Sequence, residues 1–248
     1  MDNLLYIAMS GAKENMNALA VRSNNLANAS TIGFKADFEN ARAMQAYGEG
    51  LPTRVFSMAE EPGQNMSSGA IETTGRELDV AVKGDGWIAV EDSNGNEAYT
   101  RMGSLVLDHD GTLRTSDGRA VLDESGDHIE LPALTKVEIN QDGTVGGRPE
   151  GEGSEVFEEY QRIKLVNPDR TAMYRGTDGL FRLRSGGTAE ESEDVRLING
   201  ALESSNVNVV DEMTSLIRIQ RQYDMQVKMM STAKEMDESQ NQLLRPGA

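Results

Sequence analysis

Three short patterns in the sequence contain residue types that carry chemistry in enzymes. Residues 84–89 match G-x-G-x-x-A, which binds a dinucleotide when a helix follows the glycines and holds the pyrophosphate. Residues 87–90 are instead typical of a strand, so we expect these glycines to form a turn. Residues 10–13 and 231–234 match S-x-x-K, but the S-D-N and K-T-G elements of penicillin-recognising enzymes are absent from the sequence. None of the three patterns therefore predicts a catalytic site.

The remaining candidates for metal binding or acid–base chemistry lack the spacing that such sites need. His109 and His128 are the only histidines in the sequence, and neither stands in a zinc-ligand spacing. Asp108 and Asp110 resemble the start of a calcium loop, but Arg119 occupies the position where that loop needs a glutamate. The 41 acidic residues make chance pairs of carboxylates common, and the absence of cysteine excludes thiol catalysis, disulfides and Cys-zinc sites. The sequence therefore predicts no catalytic residue, no cofactor and no metal site.

The last stretch of the chain, residues 207–244, has the pattern of one long amphipathic helix. Apolar residues recur in steps of three and four, with Gln220 keeping the register, as in the seam of a coiled coil. About 35 helical residues would span about 50 Å, and such a helix cannot bury its apolar stripe on itself. It therefore needs a partner helix. The stripe consists of Val209, Met213, Leu216, Tyr223, Val227 and Met230.

Residues 3–28 predict a second helix at the other end of the chain. Gly33 can turn the chain after this helix, and Phe34 is then expected to pack back on it. The two helices form either a hairpin that closes one globular domain or a coiled coil that also packs against other subunits. The stripes alone do not decide between these interpretations. The second stripe consists of Leu5, Ala8, Ala12, Met16, Leu19 and Leu26.

The pattern changes to short β segments between residues 71 and 196. Apolar and polar residues alternate with a period of two, and X-Gly dipeptides typical of tight hairpin turns separate the segments. We therefore predict an α+β fold, in which long N- and C-terminal helices form a coiled coil around a central antiparallel β-rich domain. Residues 38–47 are expected to be partly helical. The predicted segments are an N-terminal helix with an Asn-rich turn (1–47), an extended linker (48–70), the β-rich domain (71–196) and a long C-terminal helix (197–248).

The charge of the chain is concentrated in its middle. Residues 1–47 contain four acidic and four basic side chains and residues 201–248 contain seven and five, so 15 of the 17 net negative charges lie between them. Neutral ends suit contact with other proteins, whereas an acidic middle suits exposure to solvent. No basic patch is available for phosphate, which excludes nucleic acid as a partner. The sequence also contains neither a leader cleavage pattern nor a long apolar run, so we expect no cleaved signal peptide and no membrane span.

Both ends of the chain resemble the bacterial flagellar rod and hook proteins, the axial proteins of the flagellum. Within this family, residues 8–11 and 220–230 are most similar to the proximal-rod members, and the distal-rod members come next. Two long motifs at opposite ends of one chain make the resemblance specific. The motifs cover residues 4–12, 23–35 and 200–213, and residues 71–145 resemble the central domain that the family shares.

The resemblance implies a structural subunit of the flagellar proximal rod and not an enzyme. In this family the terminal helices assemble into a helical tube, so both apolar stripes, together with Phe34, are implied as the assembly interface. Implied partners are other proximal and distal rod subunits, copies of the chain itself, the flagellar type III export apparatus and the surrounding ring proteins. The implied location is the periplasmic part of the basal body, reached without cleavage of a signal peptide. The alternatives are a distal-rod protein and a β-domain enzyme that acts on a carbohydrate such as peptidoglycan.

Overall fold

The computed structural model of the chain describes residues 2–39, 41–45, 55–59, 63–149 and 157–243. The chain divides into two compact units. Residues 1–29, 36–65 and 207–248 belong to one, the helical unit, and residues 30–35 and 66–206 belong to the other, the β unit. Each unit therefore combines segments that lie far apart in the sequence.

The helical unit contains the two predicted helices and two short pairs of strands. Its elements are α1 (Asp2–Ala27), β1 (Asp37–Phe38), β2 (Ala41–Gln45), β3 (Val55–Ala59), β4 (Gly63–Gln64) and α2 (Val209–Leu243). The predicted helices are confirmed to within 2 residues at each end. Helix α2 begins where the side-chain oxygen of Asn208 accepts hydrogen bonds from the backbone N–H groups of Val210 and Asp211, at 3.1 and 3.4 Å.

The residues that follow α1 in the helical unit form strands rather than a helix. β2 pairs with β3 in an antiparallel register that sets Ala41 opposite Ala59, and β1 pairs with β4. The expectation of a partly helical segment at 38–47 is therefore wrong for its described residues; 40, 46 and 47 lie outside them. The sequence of β2 has good helix formers, but this intrinsic preference is weak beside pairing with β3.

The β unit is built from short strands, and every pairing between its described strands is antiparallel. Together with the terminal helices, these strands confirm the predicted α+β fold. A short 3-10 helix lies at Arg170–Ala172. The strands are β5 (Ile71–Thr73), β6 (Val80–Lys83), β7 (Trp87–Glu91), β8 (Glu97–Thr100), β9 (Leu105–Leu107), β10 (Leu113–Thr115), β11 (Leu134–Ile139), β12 (Thr144–Pro149), β13 (Glu158–Arg162), β14 (Leu165–Val166), β15 (Met173–Arg175), β16 (Phe181–Leu183), β17 (Arg196–Asn199) and β18 (Ala201–Glu203).

The largest sheet of the β unit has the strand order β14-β7-β8-β16-β15. β11, β12 and β13 form a second sheet, and the pairs β5–β18, β6–β17 and β9–β10 complete the unit. The predicted hairpin turns are confirmed at their glycines, for example at Gly95, whose φ of 80° lets the chain turn from β7 into β8. Because β7 begins directly after Gly86, no helix follows the G-x-G-x-x-A pattern, and its glycines form a turn.

The segments expected at the edges of the β-rich domain carry strands of their own. Residues 48–70, expected as an extended linker, include β3 and β4, while 48–54 and 60–62 lie outside the described residues. Residues 201–203, expected with the C-terminal helix, form β18 and pair with β5 in the β unit. The last strand of the β unit therefore comes from the segment that leads into α2.

Two apolar clusters form the core of the β unit. The larger contains Ile88, Leu113 and Ile139, and the smaller contains Trp87 and Phe181, whose ring centroids are 4.3 Å apart. Trp87 is the only tryptophan of the chain. Its fluorescence therefore reports on the folding of the β unit.

Replacing a buried isoleucine of this core should destabilise the β unit far more than replacing an exposed one. Ile139 is 1% exposed, whereas Ile71 is 45% exposed. We expect Ile139→Ala to lower the free energy of unfolding by about 2–5 kcal/mol, because apolar contacts are lost and a cavity remains. Ile71→Ala should change it by less than about 1 kcal/mol. Urea unfolding followed by Trp87 fluorescence measures both, and equal effects would contradict this assignment of the core.

Candidate assembly interface

The two terminal helices pack on each other as an antiparallel pair. Nδ2 of Asn15 in α1 donates to Oε1 of Gln226 in α2 at 2.8 Å, and Glu212 at the start of α2 contacts Arg22 and Asn25 further along α1. The side of α2 that is buried or partly buried repeats in steps of four and three residues, the spacing of a coiled-coil seam. It consists of Glu212, Leu216, Ile219, Tyr223, Gln226, Met230, Ala233 and Asp237.

The facing side of α1 is built mainly from small residues. Ala8, Ala12 and Ala18 are buried. Gly11 lies so close to α2 that a Cβ atom added there would stand 2.5 Å from Nε2 of Gln226. Small side chains allow two helix axes to approach closely, and the larger side chains of α2 fill the contact. The pair is therefore closely fitted at these small residues, and Leu19 and Leu26 are partly buried on the same side of α1.

Polar side chains fix the register of the helix pair. Nη1 of Arg22 lies 3.0 and 3.2 Å from the two carboxylate oxygens of Glu212, and Nδ2 of Asn25 donates to one of them at 3.1 Å. Asn25 is completely buried, and its side chain also donates to the carbonyl of Asp37 at 2.7 Å and accepts from its N–H at 2.9 Å. A shift of one helix along the other would leave these buried groups without partners, which is costly.

A pair of acidic residues, Glu14 and Glu39, lies in the helical unit. Burial and a hydrogen bond with the carboxyl group of Glu14 raise the pKa of Glu39 above its ordinary value of 4.5, although the charge of Arg22 opposes this effect. Arg22 is already bonded to Glu212 through both carboxylate oxygens. The protonated form of Glu39 is therefore favoured relative to its usual balance.

The predicted apolar stripes are divided between two surfaces of the helix pair. Leu216, Tyr223 and Met230 lie on the seam of α2 and are partly buried. Phe34 belongs to the β unit, where its ring centroid lies 4.8 Å from the guanidinium carbon of Arg175. On α1, Ala8 and Ala12 are buried, and Leu19 and Leu26 are partly buried on the same side. Five predicted residues are exposed in the single chain: Leu5, Met16, Val209, Met213 and Val227.

The polar members of the seam were missed by the sequence pattern. Glu212, Gln226 and Asn25 occupy seam positions, but a stripe that is defined by apolar residues does not include them. Helix α2 carries apolar residues in two adjacent heptad registers, and Met213 and Val227 belong to the one next to the seam. Val209 has the seam spacing but lies at the exposed start of the helix. The sequence offers one signal for Glu212, which is an acidic residue in the first turn of the predicted C-terminal helix. Its partner Asn25 lies in the asparagine-rich end of the predicted N-terminal helix.

A large apolar surface of the helices remains uncovered in the single chain. Val210, Ile217 and Met225 of α2 are 67%, 53% and 60% exposed. Ile217 and Met225 line a shallow groove on the outer side of this helix, together with Arg218 and Arg221. Contiguous exposed apolar surface of this kind marks sites of protein–protein contact. The outer side of α2 is therefore a candidate assembly face.

A polar cleft in the β unit contains Glu91 and Glu97, the two carboxylates whose placement most resembles that of an enzyme site. Glu97 accepts hydrogen bonds at 2.8 Å from both Tyr99 and Lys164, so both of its oxygens are engaged. Oε2 of Glu91 lies 2.7 Å from Nε2 of His128. A glycosidase needs one protonated and one free carboxyl group flanking the bond that is cleaved, and these two glutamates are held by basic partners. The other histidine, His109, is exposed in a turn.

The described residues include no group of three or more histidine, aspartate and glutamate side chains that could hold a metal ion. Within the same residues, neither helix has the length and apolar character needed to cross a bilayer.

Family profiles of flagellar proteins match three parts of the chain. Residues 5–35 match "Flagella basal body rod protein", residues 81–147 match "Flagellar hook protein FlgE/F/G D1 domain", and residues 198–243 match "Flagellar basal body rod FlgEFG protein C-terminal". The first match covers α1 and the turn after it, and the last covers β18 and α2. The two matched ends therefore contain the residues that form the helix pair.

Individual relatives are similar over nearly the whole chain. The flagellar basal-body rod protein FlgF of Escherichia coli (strain K12) is 38% identical over 98% of this chain and 99% of its own length. FlgF of Caulobacter vibrioides is 34% identical over 96% of each chain. The flagellar basal-body rod protein FlgG of Bacillus subtilis (strain 168) is 31% identical over 94% of this chain and 95% of its own.

A cysteine pair should report the antiparallel packing of the helices. The chain has no cysteine of its own. We expect Asn15→Cys/Gln226→Cys to form an intramolecular disulfide on mild oxidation, because these side chains contact each other. The matched control is Asn15→Cys/Met225→Cys, which moves the second thiol one position along α2 to an exposed residue. Electrophoresis without reductant measures the yield, and equal yields from the two pairs would contradict the seam described above.

Removing the acidic pair should stabilise the helical unit at neutral pH. The pKa of Glu39 is raised in the folded state, so its contribution to stability is present below pH 4.5 and is lost as the pH rises through the folded pKa. We therefore expect Glu39→Gln to melt at a higher temperature than the unmodified chain at pH 7, by a few degrees, and at the same temperature near pH 4. Circular dichroism at 222 nm (a helix signal) measures the melting. A variant that is less stable at pH 7 would contradict this account.

Proposed function

The chain belongs to the family of bacterial flagellar rod and hook proteins, and on this premise we propose that it is a structural subunit of the proximal rod. In this proposal it assembles through its terminal helices into the helical tube of the flagellar drive shaft. The FlgF relatives support the proximal position, since two of them are 38% and 34% identical over nearly full length. The distal rod is the second candidate, because the FlgG of Bacillus subtilis is 31% identical over a similar span.

The observation that carries this proposal is the uncovered apolar surface on both terminal helices. The seam between α1 and α2 holds the helices together, and a second surface is left for neighbouring subunits. On α1 this surface contains Leu5, Met9 and Met16, which are 36%, 51% and 58% exposed. On α2 it contains the groove at Ile217 and Met225. We assign assembly to these exposed residues and to Val209, Met213 and Val227.

The remaining residues of the predicted interface take a supporting part in this proposal. Ala8, Ala12, Leu19, Leu26, Leu216, Tyr223 and Met230 shape the helix pair, and Phe34 is assigned to the interface on the family resemblance alone. An apolar face on a helix pair that is not self-complementary makes head-to-tail contacts, which continue as a helical array instead of closing into a dimer. A tube is the expected product.

The proposed partners follow from this place in the flagellum. They are other proximal and distal rod subunits, copies of the chain, the type III export apparatus and the surrounding ring proteins. The proposed location is the periplasmic part of the basal body, reached without cleavage of a signal peptide. We propose no catalytic activity, since Glu91 and Glu97 are held by His128 and Lys164 and do not form an acid–nucleophile pair.

An acidic residue in the groove should block assembly without unfolding the chain. We expect Ile217→Asp to be absent from isolated basal bodies and to abolish swimming, because a carboxylate would be buried against the neighbour. The matched control is Ile71→Asp, since Ile71 is similarly exposed (45% against 53%) but lies in the β unit. A null strain that expresses each variant at equal level provides the test. Normal incorporation of Ile217→Asp would contradict the proposed face.

Immunogold labelling of the same basal bodies separates the two rod positions. Label next to the membrane-proximal end of the rod supports the proximal assignment, whereas label at the far end supports the distal-rod candidate. Glu91→Gln and Glu97→Gln serve as controls for the enzyme alternative. Loss of swimming in these two variants, with normal incorporation, would contradict the structural function and point to the cleft.

A further inference from the structure

Three segments of the β unit are joined side by side, and we name them together the clasp: residues 30–35, 66–70 and 203–206. The N–H of Gly33 donates to the carbonyl of Glu203 at 2.8 Å, and the N–H of Asn206 donates to the carbonyl of Phe34 at 3.3 Å. The N–H of Ser204 donates to the carbonyl of Ala70 at 2.8 Å. Residues near the two ends of the chain thus meet in one hydrogen-bonded structure.

The centre of the clasp is the carboxylate of Glu203, which is 1% exposed. Its Oε1 lies 2.6 Å from Nζ of Lys35 and accepts from the N–H of Gly69 at 2.8 Å. Its Oε2 lies 2.8 Å from Nη1 of Arg101, and Lys35 also donates to the carbonyl of Ser67 at 2.9 Å. One carboxylate therefore bonds to groups from several separate parts of the chain.

The charges in this centre depend on each other. Burial alone would raise the pKa of Glu203, but the bonds to Lys35, Arg101 and Gly69 outweigh it and hold the pKa below the ordinary value. Burial lowers the pKa of Lys35, and its hydrogen bond to Glu203 opposes that effect. Without the carboxylate, two buried cations would face each other, which is far more costly than the intact cluster.

The backbone in the clasp approaches so closely that glycine is required at two positions. Gly33 has a φ of 69°, and a Cβ atom there would stand 2.4 Å from the carbonyl carbon of Arg101. A Cβ atom at Gly69 would stand 1.9 Å from the carbonyl oxygen of Ser204. The clasp is thus closed by backbone contact and by charge. Of the apolar residues in its three segments, Met66 alone packs on one of the two apolar clusters of the β unit. Arg101, which bonds to Glu203, lies 5.2 Å from the ring centroid of Trp87 in the same cluster.

The chain passes between the two units four times, and every passage enters or leaves the β unit through the clasp. The passages are 29/30, 35/36, 65/66 and 206/207. The residues that hold them are close in space but distant in sequence, since Lys35 and Glu203 are 168 positions apart. Opening the clasp would therefore release all four connections in one step.

We propose that the clasp is a latch, which opens and closes as one cooperative step separate from the rest of the β unit, and that the Glu203 carboxylate holds it closed. Its segments rely on polar contacts rather than on the apolar core, and such regions open more easily than the strands of a core. The latch controls how firmly the connections to α1 and α2 are held.

Amide hydrogen exchange of the full-length chain, measured by mass spectrometry, tests the proposal. In the unmodified chain we expect peptides from all three clasp segments to share one opening constant and to exchange faster than peptides from β7, β8 and β10. Glu203→Gln should speed exchange in all three segments together, by about a hundredfold, because it removes the charge that balances two buried cations. Peptides from β10 should not change.

Glu97→Gln is the matched control, because Glu97 is a buried glutamate of the same unit, paired with the buried Lys164 at 2.8 Å. It should speed exchange around β8 and leave the clasp unchanged. If only one clasp segment responds to Glu203→Gln, or if the unmodified chain shows different opening constants for the three segments, the latch does not exist as a unit. Exchange in the clasp that equals that of β10 in the unmodified chain would also overturn the proposal, and this comparison requires no variant to fold.

Discussion

The carboxylate of Glu203 carries a charge that two buried cations require, and the three clasp segments of the β unit meet around it. Desolvating three charges is unfavourable unless each finds partners, so Lys35, Arg101 and Glu203 are stable in the interior only together. An ion cluster of this kind disfavours other arrangements of the backbone, because separating any of the three groups leaves a buried charge unpaired. The close backbone approaches at Gly33 and Gly69 lie in the same region.

Polar contacts also fix the arrangement of the helix pair, where they act together with apolar packing. Small residues such as Ala8, Gly11 and Ala12 form part of the side of α1 that faces α2, beside Leu19 and Leu26. Burial of apolar area contributes only about 25 cal/mol per Å² there. Register is supplied instead by Asn25, Arg22 and Glu212. Large apolar side chains lie both on the seam, such as Leu216 and Met230, and outside it, such as Met16 and Ile217. Those outside the seam are exposed in the single chain and form the face that we propose for assembly.

The sequence predicted those features that arise from local pattern. The helix bounds followed from uninterrupted apolar periodicity, and the hairpins followed from X-Gly dipeptides such as that at Gly95. The expectation of a partly helical segment at residues 38–47 was wrong because β2 pairs with β3, which begins ten positions after β2 ends in the sequence. Helix propensity is a local property and carries no information about such a partner. The predicted stripe and the seam of α2 share Leu216, Tyr223 and Met230. Between these residues, contact with α1 selects Ile219 and Gln226, whereas the apolar pattern alone selects Val227.

Pairing between the two ends explains why the polar contacts could not be read from either end alone. The N-terminal motif, residues 23–35, contains Asn25 and Lys35, and the C-terminal motif, residues 200–213, contains Glu203 and Glu212. Asn25 bonds to Glu212 in the helical unit, and Lys35 bonds to Glu203 in the β unit. In isolation each of these residues is typical of a solvated turn or helix end. Only together do the two motifs complete the hydrogen bonds and charges that each leaves open. In this chain, each motif is therefore the physical complement of the other.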